Sequence, residues 1–548
     1  MLCRKILVTL LAAGLAGCGG GSTPPVTEPS PTSTPTSTLS PILTPAPAPS
    51  MSIQSDALSR MIAQGTSINI QLTALASNFT PTSTLYASAS DTMGVLQKPV
   101  TVVDNGAGSY TFSLDTLSTA PSGHYAGTLK IKLCSDQDCK VPQAVSSISI
   151  PYDLTIIGSN SAWLGNKITP LAAMNGAANW STFQGNNAHT GYVPVEVKPD
   201  QMQPRWKRGA VSANGTGYSS AMSSLVTSNG LFYASMNKQL TAFKELDGSA
   251  VWSYDVSGLE YPSVNPPAVA NGVVYMAAGQ QSSTFLFALD GTNGSLRFKA
   301  PMSAQWEDYL APVVTDSGVY TNAGTFGGMY AFSLSGEQLF FGSLDMTDMW
   351  SPAADNKHIY AYTGEALTMF DPKTGVKQGT IVDSNFTNYV YQLSGAAVIG
   401  ANGGVYAAAY ENAYLSGGGI GNDLVRFDTT KGILDWRING VYTKTPAYAD
   451  GVLYIPNSKP YRIEARAEKD GALLWQWIPP YSGDTAYFSS PIVTKNLLFV
   501  SSNLNTYAVD LRSHKVVWSY PMPGNLALSQ NGILYIQGAD TLVAINLK

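Results

Sequence analysis

Along the C-terminal two thirds of the chain, short runs of β-branched, aromatic and other apolar residues alternate with polar breaks built on Gly, Asn and Asp. Such punctuation predicts strands joined by tight turns, because Asn-Gly, Asp-Gly and Gly-Gly pairs accept the positive φ that hairpin turns need. Eight runs open in this way, at Asn229-Gly-Leu-Phe-Tyr233, Asn271-Gly-Val-Val-Tyr275, Ser317-Gly-Val-Tyr320, His358-Ile-Tyr360, Gly403-Gly-Val-Tyr406, Asp450-Gly-Val-Leu-Tyr454, Asn496-Leu-Leu-Phe499 and Asn531-Gly-Ile-Leu-Tyr535. A second phrase accompanies them, a Gly with a large aromatic four residues later. It reads Gly248 to Trp252, Gly294 to Phe298, Gly336 to Phe340, Gly432 to Trp436 and Gly471 to Trp475. His514 to Trp518 is a copy with the Gly replaced, and Gly375 to Gly379 is a copy without the aromatic. Beyond the N-terminus no long stretch shows a 3.6-residue apolar period, so the pattern predicts an all-β chain.

The aromatic slots fall at 206, 252, 298, 340, 379, 436, 475 and 518, spaced 39 to 57 residues apart. Periods of roughly 40 to 50 residues are those of four-stranded propeller blades. A blade cannot bury both faces alone, but blades packed around an axis can. The last copy, Leu542-Val-Ala-Ile-Asn-Leu-Lys548, stops before its Gly and Trp, while Gln203-Pro-Arg-Trp206-Lys-Arg208 stands upstream as the missing piece. Together they predict an eight-bladed β-propeller over residues 180–548, with the upstream strand closing the ring.

Residues 51–157 have another texture. Ser67–Leu72, Gly108–Ser113, Tyr125–Leu133 and 146–156 alternate apolar and polar residues between turn formers. They predict a small antiparallel β-sandwich, which resembles immunoglobulin-like modules in architecture. Residues 158–179 read as a linker. Cys134 and Cys139 close a short loop at a strand end, and an oxidising envelope favours a disulfide between them. The alternative is half a metal site, although zinc wants three or four converging ligands and no second His or Cys pair is near in sequence.

The first residues read as targeting. Arg4 and Lys5 precede the apolar run from Ile6 to Ala13, and Leu15-Ala-Gly-Cys18 resembles the bacterial lipobox. That resemblance implies a signal peptide over 1–17 and a lipid on Cys18. The run is too short to span a bilayer. Gly19, rather than Asp, after the Cys favours the outer membrane. Residues 18–50 are Gly, Ser, Thr and Pro with little that is apolar or charged, the composition of a disordered tether. Only 12% of residues are charged and the net charge is −5, with no Lys/Arg cluster to neutralise phosphates, so nucleic acid is not an expected partner.

The repeats, among them Ala288-Leu-Asp-Gly-Thr-Asn-Gly-Ser-Leu-Arg-Phe298 and Tyr507-Ala-Val-Asp-Leu-Arg-Ser-His-Lys-Val-Val-Trp518, resemble the pyrroloquinoline-quinone-like β-propeller repeat. The segment Trp180-Ser-Thr-Phe-Gln-Gly-Asn-Asn-Ala-His-Thr-Gly-Tyr192 also looks like that family. The resemblance covers roughly residues 178–548. It implies either a quinoprotein dehydrogenase holding the quinone and calcium, or a binding scaffold like the lipoprotein subunit of the outer-membrane β-barrel assembly machinery. The dehydrogenase branch often stacks the quinone under adjacent cysteines, yet all four cysteines lie before residue 140. No copy of its Asp base with Glu and Asn calcium ligands stands out, and no Cys-x-x-Cys-His haem motif is present. Neither quinone nor calcium is therefore the favoured expectation.

None of His124, His189, His358 and His514 adjoins a Ser or Asp in a nucleophile pattern, and no catalytic residue is assigned. Trp206, Trp252, Trp436, Trp475 and Trp518 read as blade anchors. Loops leading into each new blade are aromatic and acidic. Their Trp306, Tyr309, Trp350 and Tyr389 are candidate partner-binding residues, by the composition of interfaces; the alternative is that these aromatics cover the ends of the blade cores. The excursion over 410–421, with three adjacent glycines, reads as either tolerated decoration or a binding loop. The favoured function is a lipid-anchored envelope scaffold for a protein partner, in assembly or adhesion. The alternatives are a quinone-dependent dehydrogenase and glycan recognition.

Overall fold

The computed structural model describes residues 47–53, 58–81, 83–97, 99–145, 147–158, 165–209, 224–236, 238–263, 265–346, 350–386, 393–408, 410–411, 422–539 and 541–548. Two compact units divide after Pro47, and every strand among the described residues lies in the second, Ala48–Lys548. Among the described residues no helix is long and apolar enough to cross a membrane.

Residues 50–157 of this unit form two four-stranded sheets around one apolar core. One runs Ser50–Ile53, Asn69–Ser77, Ser109–Asp115, Thr101–Gly106; the other runs Leu58–Ala63, Ile148–Ile157, Gly123–Cys134, Tyr86–Asp91. Strict alternation decides which face is inside: Tyr110, Phe112 and Leu114 are buried while their neighbours are not. Pairing is antiparallel except that Leu58–Ala63 runs parallel to Ile148–Ile157, a departure from the all-antiparallel expectation. Cys134 and Cys139 are disulfide-bonded, with Cα atoms 5.0 Å apart.

Most of the remaining strands form successive quartets of antiparallel strands; a separate three-stranded sheet joins Trp350–Ser351, in parallel, to Leu393–Ala396 and that strand to Tyr410–Glu411. The innermost strands of the quartets are Val226–Ser228, Ala268–Ala270, Val313–Thr315, Ala353–Ala354, Val398–Ile399, Ala447–Ala449, Ile492–Val493 and Asn525–Leu528. The fifth and sixth of these quartets are joined through one pair, Tyr442 with Asn457. Gln203–Gly209 pairs with Thr541–Asn546 as the outermost strand of the last sheet, placing Trp206 opposite Ala544.

The repeated phrase is a dovetail between neighbouring sheets. Each Gly adopts a left-handed φ, between +69° and +96°. Its N–H closes the turn, as Gly294 does onto the Asp290 carbonyl at 2.8 Å. A Cβ there would collide with the aromatic of the preceding sheet: with Trp252 at Gly294 (2.6 Å) and with Phe298 at Gly336 (2.6 Å). Gly432 confirms the relation by exception. The preceding slot is Gly379, and nothing lies within 4 Å of the place for a Cβ on Gly432. Some slot tryptophans add a hydrogen bond, from Nε1 to the carbonyl three residues before the next sheet's Gly, whereas the buried Trp518 Nε1 has no partner among the described residues. Trp252 donates to Gly291 at 2.9 Å and Trp436 to Glu468 at 3.1 Å. His514 holds the left-handed turn itself (φ +56°) and stacks on Trp475.

Outermost strands are generally half exposed, as in Ala250–Asp255 and Leu473–Trp477. Val516–Tyr520 is buried throughout. The N-terminal sheets cover it: the Ala63 N–H donates to Ser519 Oγ at 2.8 Å, and Met61 and Ile157 join the apolar cluster of Trp518 and Tyr520.

Candidate functional site

Residues 180–193 run along the axis shared by the innermost strands. Each sheet meets this segment in chain order. Thr227 donates its N–H to the Trp180 carbonyl (2.8 Å) and Val269 to Ser181 (2.8 Å). Thr182 Oγ1 donates to the Pro312 carbonyl (2.7 Å). Ala354 donates to Asn187 (2.8 Å), Ile399 to Ala188 (2.9 Å), Tyr448 to Thr190 (2.7 Å) and Val493 to Gly191 (2.9 Å). Trp180 also packs with Leu526 and Leu528 of the last sheet. An innermost strand has one row of unpaired backbone groups, and the axial segment satisfies part of each row.

His189 belongs to this axle. It is fully buried, its Nδ1 lies 3.1 Å from the Ala397 carbonyl, and its Nε2 lies 3.4 Å from Ser351 Oγ. No sequence pattern points to this Ser neighbour. The Ser351 hydroxyl donates to the Ala311 carbonyl at 2.8 Å, so it is held as a strut and not poised to attack. Burial pushes the His189 imidazole down to about 4, against the pull of the Ala397 hydrogen bond, so it is neutral near pH 7.

A chamber lies at each end of the axle. One, of 260 Å³, opens where the chain enters the innermost strands. Trp180, Leu310, Phe488, Pro266 and Pro267 form its apolar wall, and Lys444, Ser489, Ser490 and Asn525 its polar one. Lys444 is half-buried in the wall of this chamber. Burial lowers its ammonium to about 8, so the charge is retained at neutral pH. The other chamber, of 750 Å³, is lined by Asn186, Asn187, Asn271, Asp316 and Asp355 among others. Asp355 is committed, accepting from the N–H groups of Lys357 and His358 and from the Tyr360 hydroxyl. No Glu is among the described residues lining either chamber. The donor sets do not match an Asp base with Glu and Asn calcium ligands, and no quinone step is derived from them.

Buried charges elsewhere are tied between sheets. Glu464, fully buried, accepts from Arg462 (2.7 Å), Arg466 (2.6 Å), Tyr442 (2.8 Å) and Asn457 (3.1 Å). Asp484 is held by Ser502, Asn505 and Tyr507. These groups are satisfied.

The expected partner surface needs correction. Tyr309 and Trp350 are each only 1% exposed. The Tyr309 hydroxyl donates to the Trp306 carbonyl (2.9 Å), and its ring closes the core of the 268–304 sheet. Trp350 packs with Tyr320, Met329 and Phe370. Trp306 is half-buried against the same core as Tyr309. The loops are aromatic because the open ends of sheet cores need lids, which removes exposed area from two of the three. Tyr389, Cys18 and positions 412–421 of the Gly-rich excursion lie outside the described residues. Lys444, by contrast, carries no mark in sequence beyond its place three residues ahead of an innermost strand.

Comparison with known proteins agrees with this architecture. The family model for outer membrane protein assembly factor BamB matches residues 168–477 and 400–529. Tetrathionate hydrolase of Acidithiobacillus ferrooxidans is 23% identical over 481 residues, covering 74% of this chain and 94% of that protein. Among solved structures, BamB from Moraxella catarrhalis aligns over 63% of this chain and 97% of its own, at 14% identity and a TM-score of 0.48. Sqt1 of Saccharomyces cerevisiae aligns over 63% and 98%, at 10% identity and a TM-score of 0.48. With more than half of its length matched, the chain belongs to the family of outer membrane protein assembly factor BamB, a β-propeller of PQQ-like repeats.

Proposed function

We propose that this protein is a lipid-anchored envelope scaffold, whose eight-bladed propeller binds a protein partner in envelope assembly or adhesion without catalysing a reaction. In this reading residues 1–17 are the signal peptide, Cys18 carries the lipid and 18–50 are the tether. Residues 51–157 are an immunoglobulin-like sandwich, 158–179 a linker and 180–548 the propeller. The observation that carries it is the axle. The axis, where a quinoprotein would hold its cofactor, is taken by the chain's own residues 180–193, hydrogen-bonded to one innermost strand after another. Ring closure is supported by the dovetail of Trp206, which packs on Gly248 as Trp252 packs on Gly294. Neither quinone nor calcium is needed. The test is crosslinking in native envelopes with the anchor intact, beside Cys18→Ala. The scaffold reading expects a defined crosslinked protein that is lost when Cys18→Ala releases the chain from the membrane fraction. Dye reduction with alcohols or aldoses after adding quinone and calcium would refute it.

A second reading is hydrolysis of a sulfur oxyanion. The Lys444 chamber favours it, being cationic, and the relative from Acidithiobacillus ferrooxidans is named for that chemistry. Incubation with tetrathionate decides: time-dependent loss proportional to protein supports this reading, and a constant concentration removes it.

A further inference from the structure

We propose that the 260 Å³ chamber around Lys444 is a binding site for a small oxyanion, with a sulfate, sulfonate or phosphate group. The inference deepens the second reading, which rests on the same chamber, but concerns binding alone, so saturable binding without loss of tetrathionate separates the two. Lys444 is the only charged residue lining it, and no ion pair is made to this ammonium among the described residues. A half-buried charge without a counter-charge costs stability, and such a cost persists where a ligand repays it. Burial is the cause of the ammonium's depressed proton affinity, which an anion would reverse.

The neighbouring polar groups are of the right kind. Ser489 Oγ is buried with no hydrogen-bond partner among the described residues. Ser490 Oγ accepts the Thr445 N–H at 3.1 Å, so its own proton is free to be donated. Asn525 adds an amide at the edge of the last sheet. An ammonium, two hydroxyls and an amide make a donor set for terminal oxygens. The walls are indole, phenyl, leucine and proline, and prolines bring no N–H. Such walls keep the local dielectric low, so one charge acts more strongly than it would at the surface. The volume exceeds one tetrahedral group, leaving apolar space for whatever the group is attached to.

The probes are sodium sulfate and ethane-1,2-disulfonate, titrated calorimetrically into the full chain at constant ionic strength. The expected result is saturable one-to-one binding at a Kd of about 1 mM or tighter. Tighter binding of sulfate points to a free ion, and tighter binding of the disulfonate to an oxyanion on a longer skeleton. Lys444→Met should weaken binding at least tenfold while leaving the melting temperature equal or higher, since it removes a desolvated charge. Ser489→Ala should weaken it several-fold with folding unchanged. Two results overturn the proposal: no saturable heat with either anion, or Lys444→Met binding as the parent does. A lowered melting temperature of Lys444→Met, with anion binding retained in Ser489→Ala, would assign Lys444 to structure alone and overturn it too.

Discussion

Trp206→Ala tests the seam between the last and first sheets. Trp206 lies in the upstream strand that completes the last sheet and is 2% exposed. Its ring stands 5.7 Å from Phe232 and 5.9 Å from Tyr535, and its Nε1 donates to the Glu245 carbonyl at 3.0 Å. Truncating a buried Trp costs about 3–5 kcal/mol. Trp206→Phe keeps the ring contacts and removes one hydrogen bond, a loss of about 1 kcal/mol. The Glu245 carbonyl is not orphaned by that change, because Arg205 Nε also donates to it at 3.1 Å. Trp252→Ala is the control, the same substitution in the same slot between two sheets away from the seam. A chain of many sheets need not unfold in one step, so stability should be read segment by segment, by hydrogen exchange in rising denaturant. Trp206→Ala should release the amides of 203–209 and 541–546 first, whereas Trp252→Ala should leave them protected. A Trp206→Ala chain within about 1 kcal/mol of the parent, or one whose 541–546 amides stay protected, would refute the seam as the closing joint.

Other outcomes rest on buried groups. Arg466→Met breaks one arm of the clamp on Glu464 and should cost about 3–5 kcal/mol in denaturant titrations at pH 7. Burial alone would raise the Glu464 carboxyl, but bonds from Arg462, Arg466, Tyr442 and Asn457 hold it below the usual range. Its contribution is therefore present above the unfolded-state Glu value and lost as pH falls through the lower folded-state one, so the parent's advantage over Arg466→Met should shrink in acid. Glu245 is the reverse case. Burial raises it despite bonds from Asn531, Ser529 and Tyr535. Its favourable term is full below the unfolded value and lost as pH rises through the folded one. Glu245→Gln should melt at or above the parent temperature at pH 7 and lose that margin in acid; melting lower at pH 7 by more than about 1 kcal/mol would contradict it. Trp350→Ala should cost about 3–5 kcal/mol of stability, because it opens a core, and normal melting would return Trp350 to the surface.

The architecture was largely legible in the sequence, because a repeat written in Gly and aromatics leaves a regular trace. Strand openings at Asn229, Asn271 and Asp450, and the piece around Trp206, all fall where sheets require them. What the trace could not give was the partner of each residue. Gly294 and Phe298 look like one motif within a repeat, yet Gly294 answers to Trp252 of the sheet before. Exposure was misjudged for a related reason. Trp306 and Tyr309 sit in a loop and Trp350 in the short strand Trp350–Ser351, and a sequence pattern does not separate a lid over a core from a handle in solvent. Three-dimensional neighbours such as His189 and Ser351, 162 residues apart, leave no local mark at all.

The dovetail has a consequence for where function can reside. Every part of the repeated phrase is consumed by sheet-to-sheet contact. The Gly makes room, the aromatic fills it, the indole N–H of Trp206, Trp252 and Trp436 caps a carbonyl, and Asp290, Asp371 and Asp428 spend their carboxylates on the N–H groups of their own turns. A part that repeats because joints repeat says nothing about a ligand, which meets the molecule at one place. Function must then lie in what breaks the repeat. Among the described residues, breaks include the axial segment 180–193, the sheets laid over Val516–Tyr520, the three-stranded sheet of Trp350–Ser351, Leu393–Ala396 and Tyr410–Glu411, and a lysine ahead of one innermost strand where other sheets carry uncharged residues such as Asn265, Leu310 and Ser489. Of these, the axial segment and the N-terminal sheets are bonded into the fold, and Lys444 carries a charge that no described residue lining its chamber answers.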